Sequence, residues 1–268
     1  MNVVKEHFDS IHQLLAVLEE RPNNSEMSDR HESTGNGKAF TGTKNWEEAV
    51  NLFENGYTEV LDKIKDGILK NFNATRIENR RHVRTGVVGY VPHVPNAILN
   101  LPNSMIYTEQ QTQKVKAISI YYAPTDNCET STQTFINSGI AMLSAINSLE
   151  KSGIRVNLNI VFFNGSNSMG TEYTFATVKV KDYREHIDIL KLCFPVVHPS
   201  LFRRFGFKWL ETSPDIKRNG WSSAYGHKSN KLNNFLKKEL MNENEFFFSL
   251  QDIVELKCDM ENILKTIK

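Results

Sequence analysis

No apolar run in this chain is long enough to cross a bilayer, because charge breaks the most hydrophobic stretches within about ten residues, half the ~20 that a spanning helix needs. Cysteine is scarce too. Cys128, Cys193 and Cys258 are odd in number and far apart, which argues against a disulfide framework and against a paired-cysteine zinc site. An excess of either charge is also missing: 32 basic side chains face 31 acidic ones, so nothing attracts the whole chain to nucleic acid or to a membrane. The opening MNVVKEHFDSIHQLL carries acids and lacks a continuous apolar centre, so it does not read as a signal peptide. There is no nucleophile elbow, no phosphate-binding glycine-rich loop and no HExxH. What is present is globular: 268 residues, 40% hydrophobic and 24% charged, enough for a large core. The expectation is a soluble cytoplasmic protein without a membrane partner.

Along the chain, Val4, Phe8, Ile11, Leu14, Leu15 and Leu18 recur near a helical period, predicting an N-terminal helix within 1–22 that stops before Pro22. Residues 23–39 are rich in Ser, Asn, Gly and charge, as a flexible linker is. Residues 40–113 hold two helices, the first capped by Thr43 or Asn45, and a Pro-rich strap, TGVVGYVPHVPNAILNL, read as extended chain packed on other elements. From 114 to 268 the pattern becomes α/β. VKAISIYYA and IRVNLNIVFF flank a helix and predict a parallel crossover unit. EYTFATVKV then returns as an antiparallel edge strand, and Asp182 caps a helix over 183–192. A basic helix over 229–241, a short buried strand EFFFSL and a closing helix over 251–267 complete the order.

That order, with one antiparallel strand after two parallel ones, resembles the von Willebrand factor A-like version of the doubly wound, mostly parallel α/β fold, here carrying an α-helical N-terminal extension. More locally, HPSLFRRFGFKWLE (198–211) and FTGTKNWEEAVNLFENG (40–56) resemble an uncharacterised family found mainly in phages and prophages. The resemblance implies a viral or mobile-element origin, and a setting in the host cell cytoplasm.

A-type folds often hold a divalent cation with an Asp-x-Ser-x-Ser loop after the first core strand. Asp126, Cys128 and Thr130 match the spacing with sulfur where a hydroxyl belongs, and sulfur suits magnesium poorly. The competing reading is a plain loop in which Thr130 or Ser131 caps the next helix. No cofactor is expected beyond that doubtful cation. Arg203 and Arg204 are adjacent guanidiniums able to clamp a phosphate or a partner carboxylate; alternatively, Phe202 and Phe205 anchor the turn while one arginine binds buried carbonyls or Glu211. His198 stands beside them as a packed histidine or a functional one. Arg80, Arg81 and Arg84 belong to the densest basic cluster, a candidate phosphate surface or a solvated face. Trp221 and His227 lie in an aromatic loop able to stack on a base or to plug a gap. With no assembled catalytic set, the first expectation is a non-enzymatic protein-interaction module with a phage or host protein partner. The second is a nucleic-acid or nucleotide binder, or an enzyme, using the arginine clusters.

Overall fold

The computed structural model describes residues 2–22, 31–32, 37–70, 82–109, 116–125, 129–165, 172–214 and 230–267. The chain divides into two units: a body, Met1–Ala74 with Ala117–Lys268, and an insert, Thr75–Lys116. Along the chain the strands are β1 (Asn2–Phe8), β2 (His82–Gly86), β3 (Val91–Pro92), β4 (Met105–Glu109), β5 (Ala117–Ala123), β6 (Arg155–Gly165), β7 (Glu172–Lys181) and β8 (Glu245–Ser249). The helices of the first half are α1 (Ile11–Glu20), α2 (Gly37–Thr41), α3 (Trp46–Asn55), α4 (Leu61–Lys70) and α5 (Val94–Ile98). Those of the second are α6 (Thr132–Lys151), α7 (Ile189–Val197), α8 (Phe207–Thr212), α9 (Asn230–Leu240), α10 (Leu250–Glu255) and α11 (Met260–Ile267).

The body is a mixed α/β unit on a mostly parallel sheet ordered β1-β7-β6-β5-β8. β5 runs parallel to both β6 and β8, β7 is antiparallel to β6, and β1 is parallel to β7. Both faces are apolar because alternate residues of the central strands point to opposite sides. Ile118, Ile120, Tyr122, Leu158, Ile160 and Phe162 belong to one buried cluster that also takes in the helical layer of α6 and α7. Val161, Phe163, Phe175 and Phe247 form the other, against Leu232, Leu236 and Leu240 of α9, spaced four apart on one helix face. Ser131 starts α6 by accepting from Thr134 N at 3.1 Å. Gly139, inside α6, lets α7 approach: an added Cβ there would lie 2.4 Å from Val196 O.

Several expectations are corrected. The apolar residues near the N-terminus do not make one helix. Asn2–Phe8 is a strand, and the helix begins at Ile11 because Ser10 accepts from Gln13 N at 3.1 Å and stops it extending backward. β7 is antiparallel as expected but not an edge, since β1 pairs along its far side. The helix expected over 183–192 is displaced to Ile189–Val197. Asp188 wins the cap, accepting from Leu190 N and Lys191 N, whereas Asp182 binds Arg184 N in a tight turn. The closing helix is two helices, parted where Lys257 and Cys258 take positive φ of 61° and 49°. The linker is not free throughout: His31 is buried, and α2 begins at Gly37.

The insert folds on itself instead of running as a strap. Its sheet is antiparallel in the order β2-β4-β3. Gly89 lies flush on β4, where a Cβ would fall 2.3 Å from Ile106 O. His93 Nδ1 caps α5 by accepting from Asn96 N at 3.4 Å, and Pro95 occupies its first turn. Among the described side chains of 84–107 none is buried. Among the described residues no helix is long and apolar enough to cross a membrane.

Candidate functional site

The segment that carries Arg203 and Arg204 is a widened turn. After α7 the backbone at His198 is extended, Ser200 donates its hydroxyl to Thr41 O at 2.6 Å, and Leu201–Gly206 forms a π-helical turn running straight into α8. Turns of this kind are rare and concentrate where a helix must hold side chains that a regular turn would misplace. Gly206 is needed because a Cβ would meet the Phe202 ring at 2.9 Å. Every residue of the turn is buried, both arginines included.

Arg204 is saturated. Nε donates to Thr43 Oγ1 at 2.8 Å, Nη1 to His31 O and Glu32 O at 2.5 and 2.8 Å, and Nη2 to Thr41 Oγ1 and Thr43 O at 3.1 and 2.8 Å. A guanidinium has five N–H donors, and here five protein acceptors take them. Burial pushes the Arg204 pKa down, opposed by the nearby Glu32 and Glu48 carboxylates. Arg203 donates to Phe40 O at 2.6 Å and Thr130 O at 2.7 Å, with its guanidinium 3.9 Å from the centre of the Phe40 ring and 4.3 Å from that of Phe135. Of the two readings of this pair, the geometry matches internal bracing: both arginines, not one, bind backbone carbonyls, on residues 31–43 and, through Thr130, just ahead of α6. As an external clamp for phosphate, the pair is displaced by its own chain. Glu211 is buried against His31, accepting from its backbone N–H at 3.3 Å and making a short hydrogen bond with its imidazole Nδ1.

The surroundings are aromatic. Trp46 lies 4.8 Å from Phe205 and edge-on to His31, and Lys208 Nζ sits 4.1 Å from the Trp46 ring centre. Burial lowers the Lys208 pKa, with Glu19, Glu32 and Glu211 pulling the other way. His198 packs between Phe194 and Tyr57, and its Nδ1 accepts from Ser200 N at 3.2 Å. Burial brings its pKa down to about 4, with Glu48 opposing and Lys38 assisting, so the ring is neutral and carries its proton on Nε2. That assigns His198 a packing role. Gly42, at φ +82°, passes close beneath it: a Cβ would sit 2.8 Å from His198 Cε1.

At the carboxyl end of β5, where open α/β sheets bind ligands, a solvent-open cavity of about 300 Å³ is lined by Phe40, Glu129, Thr130, Ser131, Thr132 and Arg203, among others. Thr130 contributes its carbonyl to Arg203. Asp126 and Cys128 lie outside the described residues, as do Arg80, Arg81, Trp221 and His227. Among the described residues no cluster of His, Cys, Asp and Glu can hold a metal ion. Arg84 is exposed on β2 of the insert, so the structure does not bring it into the buried arginine cluster.

A second site has the opposite character. Of thirteen exposed large hydrophobic side chains among the described residues, eight fall within 87–101 of the insert, with Val88 at 81% and Ile98 at 78% exposure. Scattered exposed apolar residues are ordinary, whereas these eight fall within a single short stretch of the chain. The Pro-rich strap over 85–101 is the segment that the sequence offers for docking a partner, whereas His31, Thr41 and Thr43 are not singled out there as acceptors. The signal for the latter was the arginine pair inside LFRRFG, whose apolar neighbours require internal acceptors. A family model described as a domain of unknown function, DUF7192, matches residues 1–268. The chain belongs to that family. No curated protein and no solved structure matches it.

Proposed function

We propose that the protein is a non-enzymatic protein-interaction module, encoded by a phage or prophage and acting in the host cytoplasm, in virion assembly or on a host factor. The observation that carries this is the insert's apolar face: large aliphatic side chains and Tyr90 stand in solvent on a small sheet and helix that bury no described side chain of their own. The body supplies the support. Its strand order β7-β6-β5-β8, with β7 alone reversed among those four, favours an A-type α/β core. The origin rests on the likeness of residues 40–56 and 198–211 to phage and prophage sequences, and these are the two segments the buried arginines tie together. A nucleic-acid reading has less to stand on, because Arg203 and Arg204 face inward.

The test is co-purification from the host with tagged wild-type protein and with a Val88→Asp, Ile98→Asp variant. A stoichiometric protein partner, a second copy included, retained by the wild type and lost by the variant supports the reading. A wild-type protein that retains no partner and does not self-associate overturns it. Steeply salt-dependent retention of nucleic acid would transfer the function to the alternative class.

A further inference from the structure

We propose that the partner of the insert's apolar face is a second copy of this chain, so that the protein is a homodimer closed through residues 87–101; this rests on the interaction reading above and names its occupant. Area is the first support. The exposed parts of Val87, Val88, Tyr90, Val91, Val94, Ile98, Leu99 and Leu101 amount to on the order of 1,000 Å², comparable with the roughly 800 Å² per partner of a standard interface. Stability is the second. A three-stranded sheet with one five-residue helix and no buried side chain among 84–107 cannot offset the entropy of ordering its own backbone, so its folded form needs cover.

Charge decides for a copy of the same chain. Residues 85–108 contain no Asp, Glu, Lys or Arg, so the face meets itself without like-charge repulsion, as a two-fold contact requires. Val94 and Ile98, four apart on α5, supply the anchors that enter the partner.

Light scattering after size exclusion and sedimentation equilibrium, run on the full chain from low to high micromolar concentration, test the proposal. The expected result is a concentration-dependent dimer whose Kd rises by roughly thirtyfold or more in Val88→Asp and in Ile98→Asp, each of which places a carboxylate in the interface centre. The milder Val88→Ser, Ile98→Ser variant guards against misfolding and should also weaken the dimer while the thermal transition of the body is kept. A monomer at every concentration overturns the homodimer. If that monomer binds an apolar dye that the Ser variant does not bind, the interaction surface stands and only its occupant is wrong; if it binds none, the surface itself fails. A dimer of unchanged affinity in all three variants also overturns the proposal, because its interface then lies elsewhere.

Discussion

Residues 201–206 and residues 87–101 break the usual partition of side chains in opposite directions. The first stretch takes two guanidiniums out of water; the second leaves eight large apolar side chains in it. Their bookkeeping of polar groups explains the difference. Arg204 is tolerated inside because five acceptors on residues 31–43 receive its five N–H groups, so the cost of desolvation is met within the chain. The insert has no equivalent closure: its hydrogen bonds are made, but its apolar surface is not covered. One region is closed by its own chain, and the other leaves its large apolar side chains exposed.

The largest way to break this contrast is Arg204→Met. Losing the guanidinium removes five hydrogen bonds that brace residues 31–43, and unfolding in urea should show a loss of about 3–5 kcal/mol. Arg204→Lys should recover little, having three donors in place of a planar five. Next comes acid. An unfolded imidazole protonates near 6.5, whereas folded His198 refuses the proton until about 4. The unfolded state thus binds more protons inside that window. Stability from this residue is full above pH 6.5, declines as pH falls, and by pH 4 has dropped by about 3 kcal/mol. His198→Asn, which keeps an acceptor for Ser200 N, should flatten that slope in a series of denaturant titrations. Gly42→Ala is smaller. Its φ of +82° and the His198 ring beneath it predict a loss of about 1–2 kcal/mol, seen as a lowered Tm. At the far end, Val88→Ser with Ile98→Ser should change the stability of monomeric body by less than about 0.5 kcal/mol, read at low concentration where no dimer forms.

Much of the body could be read from the residues. The crossover of β5, α6 and β6 follows from two apolar runs around a helical period, and Ser131 caps as its position demands. What could not be read had non-local causes. Asn2–Phe8 has helical spacing by coincidence, and it becomes a strand because β7 offers it an open edge 170 residues away in register. Asp182 stands where a cap is expected, yet Asp188 takes that role six residues later. The arginine pair was legible as a pair, but its acceptors lie in a segment whose polar composition signals a linker. His31 there gives no local hint that Glu211 waits for it. The insert's glycines and prolines point to a break in regular structure, yet Gly86 and Pro92 lie in strands of a small sheet, Pro95 sits in the first turn of α5, and Gly89 admits β4.

The pairing of β1 with β7 has a consequence for how the protein is made. Asn2 registers with Glu172 and Phe8 with Val178, so β1 leaves the ribosome well before the strand that pairs with it. At roughly 5–20 residues per second, that interval is on the order of ten to thirty seconds. During it the strand is an unpaired template, and a slowed ribosome or a truncated transcript would lengthen its exposure to other nascent chains.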